Sequence, residues 1–209
     1  MKKNVSQSSI ERLPIYYRAF KGAQRGEKVI ISSEEIGRAL GITAEQIRKD
    51  LALFGQFGRK GIGYNVNDLI KEIGQILGLN REWNIAIVGV GHLGSALANY
   101  QNFSEMGYKV SALFDTDERI IGSYVNKVKV MSAHEINRVV KGRGIQIGII
   151  TVPAGAAQRV ADELSGAGVK GIWNFAPVRI SVPERVHIVN KDLSVDLSTL
   201  SYHITNSLT

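Results

Sequence analysis

The segment with the clearest chemistry is Gly89-Val90-Gly91-His92-Leu93-Gly94, three glycines in the spacing G-x-G-x-x-G. In that spacing the first glycine permits a tight turn, the second lets the backbone approach a pyrophosphate, and the third lets the following helix pack against the preceding strand. The context is present, because a β-branched run over residues 84–90 leads into the turn and a helical pattern over residues 93–103 follows it. The free N–H groups that open such a helix face the phosphates. Asp115 stands 21 residues after Gly94, closing a strand over residues 110–115, where its carboxylate can accept hydrogen bonds from an adenosine ribose. No arginine follows before Arg119, so a 2′-phosphate has no evident partner and the expected cofactor is NADH or NAD+. Ligands on open α/β sheets sit beyond the carboxyl ends of the strands, which brings Thr151-Val152-Pro153 and Asn174-Phe175-Ala176 to the nicotinamide half of the same site. Val90, His92 and Leu93 belong to the turn, and their side chains are expected to point outward.

A second set of residues lies within the first 80. Ser32 with Glu35, and Thr43 with Gln46, each have the spacing of a helix capping box, and Gly41-Ile42 leaves only a tight turn between the two helices. That is a helix-turn-helix. On the second of these helices Ile47, Leu51 and Phe54 recur at helical spacing and fall together on one side, the buried one. Lys49 lies on the opposite side, with Gln46 and Arg48 flanking it to left and right. Side chains of this kind in the first turns of a recognition helix can meet base edges or phosphates in a major groove. Residues 55–63 are glycine-rich with Arg59 and Lys60 at the tip, and Tyr64-Asn65-Val66 completes a hairpin wing. The expected DNA-facing set is Ser33, Thr43, Gln46, Arg48, Lys49, Arg59, Lys60, Gly61 and Tyr64.

The elements that must carry these residues change character near residue 80. Before it, apolar residues recur three and four apart: a helix over residues 9–24 bears Ile10, Leu13, Tyr17 and Phe20, and a later helix from Asn67 or Asp68 bears Leu69, Ile73, Ile76 and Leu77. A short extended stretch, Val29-Ile30-Ile31, lies between the first two helices. After it, strands alternate with helices: further strands are expected over 127–131, 145–152, 171–175 and 185–190, and helices over 132–140, 156–165 and from about 194. The fold class is therefore α/β, a winged helix-turn-helix over residues 1–80 and a Rossmann-type doubly wound parallel sheet over residues 81–193.

Composition narrows the rest. The 209 residues include no cysteine, which excludes disulfides, thiolate metal sites and cysteine nucleophiles, and no metal is expected. No run approaches the roughly 18 apolar residues of a membrane span, and no signal sequence stands out, so the expected location is the cytoplasm. The net charge is +7, and residues 1–83 hold 14 Lys/Arg against 9 Asp/Glu, so the basic excess falls on the winged helix. No acid or base gathers at the strand ends and no chain remains for a substrate domain. A cofactor domain joined to a DNA-binding domain without catalytic groups reads as a sensor. The alternatives are a small NAD-dependent oxidoreductase with an accessory helical domain, and a module that uses the glycine turn for CoA phosphates.

Seven segments, in this order, resemble the Rex family of redox-sensing transcriptional repressors: Arg12-Leu13-Pro14-Ile15-Tyr16, Gln46-Ile47-Arg48-Lys49-Asp50-Leu51, Gly61-Ile62-Gly63-Tyr64, Gly78-Leu79-Asn80, Gly89 to Gly94, Thr151-Val152-Pro153 and Asn174-Phe175-Ala176-Pro177. The resemblance spans essentially the whole chain. It implies a homodimer that binds double-stranded operator DNA when NADH is low and releases it when NADH binds. It also implies that a C-terminal helix over residues 194–209 is exchanged between subunits, burying Leu197, Leu200, Ile204 and Leu208. Further implied are Tyr100 near the nicotinamide and a pairing of Arg18 with Asp192 of the other subunit in one of the two states, with Asp196 one turn further on as a competitor.

Overall fold

The N-terminal helical pattern condenses into a small α/β arrangement in the computed structural model, which describes residues 5–59 and 61–207. The elements are α1 (Gln7–Arg25), β1 (Ile30–Ile31), α2 (Ser33–Leu40), α3 (Ala44–Phe54), β2 (Gly58–Arg59), β3 (Gly63–Asn65) and α4 (Val66–Ile76). The strands form an antiparallel sheet in the order β1-β3-β2. Ser32 and Glu35 make the reciprocal capping box at the start of α2, and Gly41 ends that helix in the left-handed conformation at φ 67°. The turn is so tight that a Cβ on Gly37 would lie 2.5 Å from the Ile42 carbonyl oxygen, so only glycine fits there. The second box forms by half: Thr43 Oγ1 accepts from the Gln46 N–H, but the Gln46 side chain turns away to Asp50. The helix α4 starts at Val66, capped by Asn65, rather than at Asn67 or Asp68.

Leu13, Tyr16, Phe20, Ile36, Ile47, Leu51, Val66, Leu69 and Ile73 form the core of this unit. The buried stripe of α1 therefore runs through Tyr16 instead of Ile10 and Tyr17; Ile10 is 43% exposed. The shift follows from Tyr16 having a buried acceptor for its hydroxyl, 2.7 Å away on Asp50. On α4, Ile76 likewise turns out of the core.

The second unit, Glu82–Thr209, is built around a seven-stranded sheet. Its elements are β4 (Trp83–Val88), α5 (His92–Ala98), α6 (Asn102–Glu105), β5 (Tyr108–Asp115), β6 (Tyr124–Val125), β7 (Val128–Ser132), α7 (Ile136–Gly142), β8 (Ile147–Ile150), α8 (Ala154–Ala167), β9 (Gly171–Asn174), β10 (His187–Asn190) and α9 (Leu193–Ser207). The order is β10-β9-β8-β4-β5-β7-β6, parallel except for the antiparallel β6. Chain progress reverses at β4, with β5 on one side and β8 on the other, which opens a crevice at their carboxyl ends. Phe114, Val88, Ile150 and Asn174 are in register across β5, β4, β8 and β9. The residues that follow them, Asp115, Gly89, Thr151 and Phe175, thus stand in one row along the top of the sheet.

Two elements differ from the sequence pattern. The helix expected over 93–103 breaks after Ala98, where Asn99 donates its side-chain amide to the Ser95 carbonyl and so competes with the helix ladder. The helix expected over 132–140 opens as a 3₁₀ turn, Ala133–Glu135, before α7. No residue of α9 is buried, and Leu197, Leu200 and Ile204 are more than half exposed.

Candidate nucleotide cleft and nucleic-acid interface

At the switch point a cleft of about 490 Å³ is lined by Gly89, Gly91, Asp115, Thr116, Asp117, Ile120, Thr151, Val152 and Pro153, with one face of α8 as the far wall. The glycine turn at its floor is closed by its neighbours. Gly89 adopts φ 94°, and a Cβ there would sit 2.8 Å from the Thr151 carbonyl oxygen. A Cβ on Gly94 would sit 1.9 Å from the Gly89 carbonyl oxygen, so helix and turn touch backbone to backbone. At Gly91 nothing lies within 4 Å of the added Cβ, and φ is an ordinary −69°. Gly91 lines the cleft, so a side chain there would enter its open space. The helix α5 begins there with no side-chain cap on its first amides, which leaves them for an anion.

Asp115 and Thr151 hold this turn from either side. Asp115 Oδ2 accepts from the Val90 N–H at 2.6 Å, and Oδ1 accepts from the N–H groups of Thr116 and Asp117. The Thr151 hydroxyl donates to the Gly89 carbonyl at 2.6 Å. Asp117 grips Arg119 through both its oxygens, and this pairing keeps the Asp117 carboxyl at about 2, below the usual range.

The remaining nicotinamide-side candidates are not among the residues that line that cleft. Asn174 is fully buried and its side chain is already engaged: it donates to the carbonyls of Ala176 and Val178 and to Asn190 Oδ1 on β10, and accepts from the Ala176 N–H. It shapes the segment that presents Phe175. Tyr100 is half exposed, accepts from the Asn102 amide, and stacks edge-on with Phe103 at 5.2 Å. Phe103 lies 6.4 Å from Trp173, and Trp173 lies 4.5 Å from Phe175. Tyr100 and Phe175, far apart in sequence, are joined by two intervening rings. His92 is exposed and Leu93 partly buried at the start of α5. Ala176 and Asp192 line a separate hollow of about 480 Å³ with Arg179 and Lys191. Sequence reading missed the α8 wall, Ala156, Arg159, Val160 and Glu163, although their spacing of three and four marks one helical face.

In the first unit, a concavity of about 640 Å³ runs between α3 and the wing, lined by Ser33, Glu34, Arg48, Ala52, Gly61 and Tyr64 among others. Arg48 Nη1 donates to Ser33 Oγ at 2.8 Å and to Glu34 Oε1 at 3.0 Å. That pair is about half exposed, a weak surface bridge readily traded for a phosphate. Lys49 extends into solvent beside Glu45, one turn away. Tyr64 packs its ring over Gly58, and burial raises its hydroxyl pKa. Gly61 adopts φ 82° at the wing tip, where a side chain would be strained. Lys60 and the Arg59 side chain lie outside the described residues, as does Leu208 of the C-terminal stripe.

Beneath α3 lies a group that sequence reading passed over. Asp50 is 1% exposed and accepts from Ser9 Oγ, Arg12 Nε and Nη2, Tyr16 Oη and Gln46 Nε2, at 2.6–3.0 Å. Burial alone would raise its pKa, but the Arg12, Tyr16, Ser9 and Gln46 donors outweigh this and hold it at about 2. The signal was available: Asp50 follows Ile47 by three positions and precedes Phe54 by four, which puts it inside the buried arc of α3, where a carboxylate must be paired.

A winged helix with a polar outward helix, followed by a doubly wound sheet with an open cleft at its switch point, is the plan of a ligand-responsive transcriptional regulator. Comparison with known proteins agrees. Family models described as "Putative DNA-binding protein N-terminus" and "CoA binding domain" match residues 4–52 and 80–178. The redox-sensing transcriptional repressor Rex of Clostridium beijerinckii is 45% identical over 205 residues, covering 98% of this chain and 97% of that protein. The Rex of Clostridium botulinum Eklund 17B is 42% identical over 97% of this chain and 96% of its own. The chain belongs to the Rex family of redox-sensing transcriptional repressors. Among solved structures, the repressor RSP in complex with β-NAD+ and operator DNA superposes with a TM-score of 0.92 at 40% identity over 99% of this chain and 95% of that one. RSP in complex with β-NADH gives 0.87 at 38% identity, over 99% and 97%.

Proposed function

We propose that this chain is a cytoplasmic repressor that binds operator DNA when NADH is scarce and leaves it when NADH occupies the cleft of the second unit. The observation that carries this reading is the open space above Gly91, between a turn locked by Asp115 and Thr151, in a chain whose other unit is a winged helix. The pyrophosphate lies against Gly89 to Gly94, the adenosine ribose against Asp115, and the nicotinamide toward Val152, Pro153, Phe175 and Tyr100. NAD(H) is favoured over NADP(H) because an acidic residue, Asp115, closes β5 where the adenosine ribose would lie. Ser33, Thr43, Gln46, Arg48, Lys49, Arg59, Lys60, Gly61 and Tyr64 face the duplex.

The working form is a homodimer in which α9 is exchanged. A 15-residue helix with Leu193, Val195, Leu197, Leu200, Tyr202 and Ile204 all more than half exposed has its apolar surface available for a second copy. Asp192 pairs with the partner subunit's Arg18 in one of two dimer states. Within the chain Asp196 is engaged by Lys191, at 3.1 Å, which leaves Asp192, held among the described residues only by Ser194, as the better partner. Reduced nicotinamide favours the state in which the winged helices no longer match the operator half-sites. A switch from 1:99 to 99:1 needs about 5.5 kcal/mol of differential binding, shared by two cofactors per dimer. Duplexes enriched from a random pool by the cofactor-free chain test the proposal: NADH should release them and CoA should not. Release by CoA alone would point to the other phosphate-bearing ligand.

A further inference from the structure

The Asp50 network has a consequence for which base the recognition helix reads, and it rests on the DNA-binding function proposed above. Gln46 lies in the first turn of α3, the part of such a helix that meets base edges. Its amide is not free to rotate. A carboxylate only accepts hydrogen bonds, so the contact of 3.0 Å to Asp50 Oδ1 requires the amide nitrogen to face inward. Asp50 in turn cannot move, because Arg12, Tyr16 and Ser9 of α1 occupy its other lone pairs. The hydrogen bond to Asp50 also takes Gln46 out of the capping box that Thr43 offers, so the side chain extends one turn along α3 towards Asp50 instead of folding back on the cap. One amide hydrogen is thus spent, and a carbonyl acceptor and one N–H donor remain.

We infer that Gln46 reads an adenine in each operator half-site and that Asp50 is the positioning residue that fixes its amide for this. In the major groove adenine presents an N6–H donor beside the N7 acceptor, the complement of the acceptor and donor that Gln46 retains. Guanine offers two acceptors and cytosine a donor alone, so neither satisfies both groups. The partly buried Gln46 loses more by leaving one of them unpaired than an exposed side chain would.

Selection of full-length dimer binding sites from a randomised duplex pool, at fixed salt and without NADH, tests this. The unaltered chain should return a half-site with an adenine position at which Gln46→Ala relaxes preference roughly tenfold, leaving the other positions as they were. Gln46→Glu, which can donate neither to Asp50 nor to adenine N7 and sets a second carboxylate against Asp50, should lose the adenine preference as Gln46→Ala does. Asp50→Asn, selected at a temperature where circular dichroism shows it folded, should relax the same position as Gln46→Ala, and the double variant should add nothing. An unchanged half-site with Gln46→Ala, or relaxation at a position that is not adenine, overturns the inference. Even weakening of all positions by Asp50→Asn would make Asp50 merely structural and overturn its positioning role. A pool that yields no motif with the unaltered chain would overturn the DNA-binding function itself, and this inference with it.

Discussion

Replacing Asp50 by asparagine keeps the side chain's shape and removes its charge, which isolates what the buried network contributes to the winged helix. The carboxyl is held at about 2 against an ordinary 3.8. At 1.36 kcal/mol per pKa unit this difference corresponds to about 2 kcal/mol favouring the ionised form in the folded unit. Because the folded value is the lower one, that stability is fully present above about pH 4 and is lost as pH falls towards 2. Asp50→Asn should therefore lower the stability of the first unit by about 2–3 kcal/mol at neutral pH, a large share of the 5–15 kcal/mol typical of a domain. For a unit of some 80 residues this is roughly 10–20 °C in Tm. The two tryptophans, Trp83 and Trp173, both lie in the second unit, so fluorescence reports that unit while far-ultraviolet circular dichroism also follows α1 to α4. Urea titrations at fixed protein concentration should show the dichroism transition moving and the fluorescence transition staying. The variant and the unaltered chain should converge as pH approaches 2. A loss at neutral pH no larger than an ordinary surface substitution causes, or equal shifts in both probes, would refute the reasoning.

The glycine turn makes two opposite predictions, both readable by tryptophan fluorescence and isothermal titration. Gly91→Val should leave unfolding unchanged and abolish NADH binding, because its side chain enters open space. Gly94→Ala should destabilise the second unit by more than about 2 kcal/mol, since its Cβ meets a backbone carbonyl that cannot yield. Lys49→Ala should weaken operator binding and reduce the slope of log K against log salt by about 1, with NADH affinity retained. Leu200→Glu, on the exposed face of α9, should shift sedimentation from dimer to monomer; an unchanged dimer would remove α9 from the interface.

Much of this architecture is legible in the sequence because its signals are local. Ser32 with Glu35, Gly41, the three glycines and Asp115 each announce a cap, a turn or a strand end within a few residues. What is not legible depends on partners distant in the chain. Gln46 has the spacing of a capping residue, and only Asp50, itself fixed by Ser9, Arg12 and Tyr16 of another helix, draws it away. The phase of α1 depends on the same contact, which buries Tyr16 where periodicity alone favours Tyr17. Thr151 and Asn174 carry the right chemistry for a ligand, yet their side chains are occupied in shaping the turns that flank the cleft. The break after Ala98 has no glycine or proline to mark it, because a side-chain amide on Asn99 ends the ladder.

The central claim is that NADH binding in one unit controls DNA binding by the other. Its most direct test is fluorescence anisotropy of a labelled duplex selected by this chain, at fixed salt, with NADH titrated against a constant NAD+ background. NADH should release the duplex at concentrations at which NAD+ alone does not, and Gly91→Val should bind the duplex normally but ignore NADH. Duplex binding that is indifferent to NADH in the unaltered chain would contradict it.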